Sequence, residues 1–139
     1  MLAKRIRSKL ARLISFFSVN YYRLMGVKIG KRSYISLGAH MDVRRGKISI
    51  GNHVSISNGC YILSHTGCRP LKEGHETVIE DNVKIFVSSV IIPEVRIGKN
   101  SIVGAGAVVM KDVPPNVIVM GNPARVIEHL DEKNERTRK

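Results

Sequence analysis

The chain has 139 residues, of which 43% are hydrophobic but only 5% aromatic, and a formal charge of +12. That length suits one domain, and its core must be filled by Ile and Val rather than by rings. The composition excludes a disordered chain, and scarce aromatics with no nucleic-acid motif argue against a nucleic-acid partner.

The first segment, residues 1–26, reads as a basic amphipathic helix. Leu2, Ile6, Leu10, Leu13, Ile14, Phe17, Tyr21 and Leu24 recur at helical spacing, flanked by Lys4, Arg5, Arg7, Lys9 and Arg12. Gly26 is its expected stop. Two roles fit: a cap over the open end of the following domain, or an interfacial helix (residues 1–25) touching anionic lipid. The apolar run Leu13–Val19 is too short to span a bilayer, and no small-residue cleavage site follows it. With two cysteines, Cys60 and Cys68, and no disulfide framework, a reduced cytoplasmic setting is expected.

Residues 27–127 carry a period of six. Ile29, Ile35 and Met41 form one series; Ile50, Ile56 and Ile62 a second; Ile79, Ile85, Ile91, Ile97, Val103 and Val109 a third. This fits neither an amphipathic helix nor simple alternation. Further aliphatics, Val27, Ile48, Val54, Val83 and Val95, precede several of these by two. Gly30, Gly51 and Gly98 follow directly, with Asn52, Asn82 and Asn100 in the same turns; both residue types tolerate φ > 0. Each hexad therefore reads as a short strand and a turn, and three make a triangular coil of an all-β parallel helix. An ordinary sandwich of short strands is disfavoured because the register holds through Val109. Residues 128–139 read as a charged, helical or frayed tail containing Lys133, Arg136, Arg138 and Lys139.

The run IGKNSIVGAGAVVMKDVPPNVIVMGNPAR, residues 97–125, closely resembles the closing coils of hexapeptide-repeat acyltransferases, including the maltose, galactoside, serine and polysaccharide O-acetyltransferases. The resemblance implies a left-handed β-helix, a homotrimer with active sites between subunits, and acetyl-CoA as donor, with no metal required. It also implies that Ala105, Met110 and Lys111 contact the cofactor and that Arg125 lies near its phosphates. Physically, Gly104, Ala105 and Gly106 would let backbone amides approach a pantetheine arm, and Lys111 and Arg125 suit phosphates. The alternative is tight packing and solvated surface cations. Pro114-Pro115 and Gly121-Asn122-Pro123 look like devices that stop the repeat and redirect the chain.

Acyl transfer to a hydroxyl needs a base, and histidine titrates near neutrality. His65 stands where the repeat breaks, before the loop TGCRPLKEGHE at 66–76, and loops on rigid scaffolds often carry catalysis. Ser64-His65 matches the Ser-His pair of polysaccharide-type relatives, where the histidine is the base. His75 is second choice; His40 could face the acceptor cleft; His53 and His129 suit surface roles. Asp42 is the candidate to hold the other ring nitrogen, with a salt bridge to Arg44 or Arg45 an equal alternative. The oxyanion donor is expected within Val87-Ser88-Ser89, which places Val87 and Ser88 at the thioester. Relatives carry Trp-Ile-Gly and Pro-Gly-Val where this chain has Lys84-Ile85-Phe86 and Pro93-Glu94-Val95; Phe86 would narrow the site, Lys84 greet an anionic acceptor, and Glu94 occupy a turn without glycine's freedom.

The expected activity is therefore acetyl transfer to a sugar hydroxyl in surface polysaccharide or a lipid-linked glycan. Two alternatives are a carbonic anhydrase-like zinc β-helix, which would need three converging histidines, and a trimeric scaffold without chemistry.

Overall fold

The computed structural model describes residues 2–44, 46–65, 67, 70 and 72–130, without the side chains of residues 2, 3, 4 and 7. Arg45, Cys68, Arg69 and the tail cations from Lys133 onward lie outside it.

A helix, α1 (Leu2–Leu24), precedes four three-strand coils. The first coil holds β1 (Lys28–Ile29), β2 (Tyr34–Ile35) and β3 (His40–Met41). The second holds β4 (Lys47–Ile50), β5 (Ser55–Ile56) and β6 (Tyr61–Ile62). The third holds β7 (Glu76–Ile79), β8 (Lys84–Ile85) and β9 (Val90–Ile91); the fourth β10 (Arg96–Ile97), β11 (Ile102–Val103) and β12 (Val108–Val109). Val113 then bridges to Ile97, and β13 (Val117–Met120) and β14 (Arg125–His129) finish the chain.

Stacking the coils makes three sheets, ordered β1-β4-β7-β10, β14-β13-β11-β8-β5-β2 and β12-β9-β6-β3. The hexad register is the pairing register: Ile35, Ile56, Ile85, Val103 and Val119 lie one above the other, as do Met41, Ile62, Ile91 and Val109. These stacks are buried and form the core. Parallel strands two residues long survive because each hydrogen-bonds the coils above and below at about 4.8 Å. The β-helix of hexapeptide repeats is the architecture the six-residue period implies.

The turn glycines work differently from expectation. Gly30, Gly51 and Gly98 do not adopt positive φ; the left-handed residues of the turns between the first and second sheets are Arg32, His53, Asn82, Asn100 and Asn116, φ 55–62°. A Cβ on Gly98 would lie 2.5 Å from Pro115 N and 2.8 Å from the Pro114 carbonyl carbon. Glycine is required there by the closeness of successive backbones. The asparagines add a ladder across the same corner, with Asn82 Nδ2 donating to Asn100 Oδ1 at 3.1 Å and Asn100 Nδ2 to Asn116 Oδ1 at 2.8 Å.

Both ends of the stack are closed. At the first coil, α1 docks through Ser15, Ser18, Val19 and Tyr22. Ser15 Oγ accepts from Ile35 N at 3.0 Å, Tyr22 Oη donates to Ala39 O at 2.8 Å, and Arg23 donates to Ile29 O and Gly30 O. Edge strands expose unpaired backbone groups, so the docking face is the one that carries hydrogen-bonding groups. The apolar series beginning at Ile6 faces away instead. The helix ends where Gly26 adopts φ 94°. At the other end Gly121-Asn122-Pro123 turns the chain back, and β14 pairs antiparallel with β13. The strand runs through Glu128 and His129, so the charged tail begins later than the sequence suggests: the exposed edge of β13 needs a partner, and this segment supplies it.

Candidate active site

The third sheet is joined to the first by the connections 42–46, 63–75, 92–95 and 110–112, whose described residues form one corner of the prism. Three of these connections are short. The second swells into a loop, and its root carries His65.

Asp42 follows β3 and lies directly beneath that root. Its Oδ2 is in contact with His65 Nδ1, and its Oδ1 accepts from Arg44 Nε at 3.1 Å. The two pairings proposed for Asp42 thus coexist, one on each oxygen. The His65 and Asp42 side chains are 21% and 11% exposed, so the pair is shielded without being sealed. Burial pushes the Asp42 carboxyl up, but hydrogen bonds from the Arg44 side chain and amide, with the His65 and Arg44 charges, outweigh it and hold the group below the usual carboxylate range. With Nδ1 turned to Asp42, Nε2 is the nitrogen left to meet a substrate.

The loop is pinned at several points that the sequence pattern did not reveal. Thr77 Oγ1 donates to Leu63 O at 2.9 Å. Both ring nitrogens of His75 face carbonyl oxygens, Lys72 O at 3.0 Å and Ser64 O at 3.1 Å. His75 thus sits against the loop's own carbonyls and holds the turn at Lys72 to the strand end at Ser64. Glu94, at φ 64°, accepts the Lys72 amide at 2.8 Å through its carboxylate. The residue that replaces a turn glycine thus ties the loop to the next coil. Ser64 Oγ is buried with no hydrogen-bond partner among the described residues. His40 stacks on Tyr61, centroids 4.9 Å apart, in a hollow of about 420 Å³ that Asp42 and Leu63 also line.

Met110, Lys111 and Arg125 come together, lining a cleft of about 640 Å³ with Val109, Val119 and Ala124 on its apolar side. Met110 and Lys111 stand two coils above His65 on the same corner, about 10 Å by strand spacing. Val87, Ser88, Gly104 and Ala105 do not join them. They occupy the neighbouring corner, between the second and third sheets, formed by residues 36–39, 57–60, 86–89, 104–107 and 121–124. The third sheet separates the two corners within one chain.

Two expectations change at that second corner. The Ser88 amide already donates to Asn58 O at 3.1 Å, so it is committed to the ladder. Gly104 is buried, its amide donates to Val119 O at 2.8 Å, and a Cβ there would collide with the Met120 side chain. The open stretch is Ala105-Gly106, where Gly106 has φ 67° and nothing within 4 Å of its Cβ position. Lys84 and Phe86 lie on the second sheet and this same corner, away from His65. Cys60 is buried beneath it, and burial pushes its thiol up. His53 and His129 are exposed. Among the described residues no group of three His, Cys, Asp or Glu side chains converges to hold a metal ion.

Residues 76–111 match the family described as "Bacterial transferase hexapeptide (six repeats)". The chain is 34% identical over 120 residues to a Bacillus subtilis (strain 168) protein described as "Putative acetyltransferase YvoF", covering 86% of this chain and 70% of that one. The chain belongs to the hexapeptide-repeat acetyltransferase family. Within that family it is 55% identical over 56 residues to a tetrahydropyridine-dicarboxylate N-acetyltransferase of Brevibacillus brevis; that match covers 40% of this chain and 24% of the relative. Among solved structures, a maltose O-acetyltransferase from Clostridium difficile 630 superimposes with a TM-score of 0.61 at 28% identity, over 90% of this chain and 84% of that one. No helix among the described residues of this hexapeptide-repeat acetyltransferase is long and apolar enough to cross a membrane.

Proposed function

We propose that this protein transfers an acetyl group from acetyl-CoA to a sugar hydroxyl, with His65 as general base and Asp42 as its orienting partner. The contact of Asp42 Oδ2 with His65 Nδ1 carries the reading. A carboxylate on one ring nitrogen fixes the tautomer, directs the other nitrogen outward and stabilises the imidazolium that forms.

The residues present suit the donor. A long molecule with an apolar arm and several phosphates matches a cleft with an aliphatic side and Lys111 and Arg125 at its rim. Acetyl-CoA supplies the activated acetyl thioester. His65 Nε2 takes the hydroxyl proton as the sugar oxygen attacks the thioester carbon, and returns that proton to the departing thiol sulfur. The shielding of the Asp42–His65 pair keeps competing water from its lone pairs.

The acceptor reading rests on the stacked His40–Tyr61 pair beside Asp42, a flat surface for the apolar face of a sugar ring. Likeness to a maltose O-acetyltransferase over most of both chains supports the same class; we place the acceptor among surface polysaccharide units or their lipid-linked precursors. The separation of the two corners supports a homotrimer, in which the Ala105-Gly106 corner of one subunit meets the His65 corner of its neighbour and the site is completed between them. A cytoplasmic location fits a reduced, buried Cys60.

Labelled acetyl-CoA incubated with nucleotide sugars and lipid-linked glycans tests this. Turnover on a sugar is expected, and His65→Ala should lower it by about 10²–10⁴-fold while calorimetric coenzyme A binding persists. Unchanged turnover in the variant removes His65 from the chemistry. Failure of coenzyme A to raise the melting temperature at millimolar concentration removes the donor.

A further inference from the structure

The outward face of α1 has a clear chemical character. Ile6, Leu10, Leu13, Phe17, Tyr21 and Leu24 recur every three or four residues and share one side of the helix. All are 53–88% exposed, although α1 is docked to the first coil through its opposite side. Arg5, Lys9 and Arg12 run along one flank between the docked side and this stripe, and all three are exposed; Arg23, on the same flank, is bonded to the first coil. Under that flank a cleft of about 570 Å³ is lined by Arg12, Arg23, Arg32, Phe16 and Tyr34 among others. Asp42 is the first acidic residue of the chain, so nothing negative interrupts the region. Among the described residues Arg12 and Arg32 form no salt bridge.

We infer that α1 is a membrane-surface helix, whose stripe enters the interfacial layer of an anionic bilayer while its arginine flank meets lipid phosphates. Three observations select this occupant. An apolar stripe bordered by cations matches the depth profile of such a surface, apolar below and anionic at the headgroups. An antiparallel second copy of the same face would bring cationic flank against cationic flank, and residues 2–24 hold no acidic side chain to offer either a parallel or an antiparallel copy a counter-charge. And α1 covers the end of the β-helix, so lying flat on a bilayer leaves the His65 corner on the side wall unobstructed. The helix adheres to the surface without crossing it, since no described helix is long and apolar enough to span. This stands apart from acetyl transfer and would hold for an inactive protein.

Vesicle flotation of the full chain tests it, comparing phosphatidylcholine with phosphatidylcholine containing about 30% phosphatidylglycerol. The protein is expected to float with the anionic vesicles, to float at least tenfold less with the neutral ones, and to be released in part by about 0.5 M salt, which screens the headgroups. Replacing Leu13 and Phe17 together by Glu should abolish flotation; replacing Arg5 and Arg12 together by Glu should abolish the preference for anionic lipid. None of these four side chains hydrogen-bonds the first coil, so melting temperature and elution volume should hold. Because the chain has no tryptophan, Phe17→Trp offers a probe that leaves the stripe apolar: its emission should shift to the blue with anionic vesicles. Absence of wild-type flotation, equal flotation with both lipids, an unmoved indole emission in the Phe17→Trp variant, or loss of self-association rather than of vesicle binding in the Glu variant would each overturn the inference.

Discussion

Two corners of the same prism are built from the same backbone rule and differ in what they tolerate. Between the second and third sheets every connection is four residues long, and each turn sits on the one below. Ser89 Oγ, buried there, lies 2.7 Å from Phe86 O and 2.9 Å from Gly104 O, so even its polar groups serve the stack. Between the third and first sheets one connection swells, and the extra residues must be held by side chains, a task that falls to Thr77, His75 and Glu94. The contrast shows that a rigid ladder frees one turn to carry chemistry, provided neighbouring coils pin it.

That contrast can be broken or sharpened by experiment. The largest effect belongs to the irregular corner: His65→Ala should lower kcat by about 10²–10⁴-fold while urea unfolding changes by less than about 1 kcal/mol. At the ladder the opposite holds. Ile85→Ala, in the middle of its stack, should cost about 2–5 kcal/mol of stability through lost burial and a cavity, with turnover per folded molecule retained. Equal losses of activity and stability in both variants would dissolve the distinction.

Asp42→Asn should come next, with kcat about 10–100-fold lower. It also has a pH signature. The folded-state carboxyl lies below its unfolded value, so ionised Asp42 contributes stability that is present above the ordinary carboxylate pKa and lost as pH falls through the lower folded one. The variant should flatten that acid limb in urea titrations run across the carboxylate range. Gly98→Ala should destabilise by about 1–3 kcal/mol, because the new methyl meets the Pro114-Pro115 backbone. The smallest change is expected for Glu94→Gln, which keeps an acceptor for the Lys72 amide but removes its charge: stability should move by less than about 1 kcal/mol, with a modest fall in kcat and none in coenzyme A affinity.

Much of the fold is written in the spacing of Ile and Val, because a strand of two residues has a single inward position and the six-residue period repeats it. The loop at His65 was legible as a failure of that period. His75 and Glu94 were not legible as clamps: a histidine in a loop and a glutamate in a turn look like many others until their partners, carbonyls and amides distant in sequence, are in place. The helix shows the same limit. Its apolar period was plain, but periodicity does not say which side docks.

The sequence alone determined the period, hence the stack, the core and the break that exposes His65. Tertiary structure decided the rest. It set Asp42 against His65 and Gly98 against Pro115, turned Met120 over Gly104, and chose the hydrogen-bonding side of α1 for the first coil. The physical reason is common to all of these. Hydrophobic spacing is a local property of the chain, whereas pairing a buried polar group, or fitting one backbone against another, depends on which residue the next coil brings overhead.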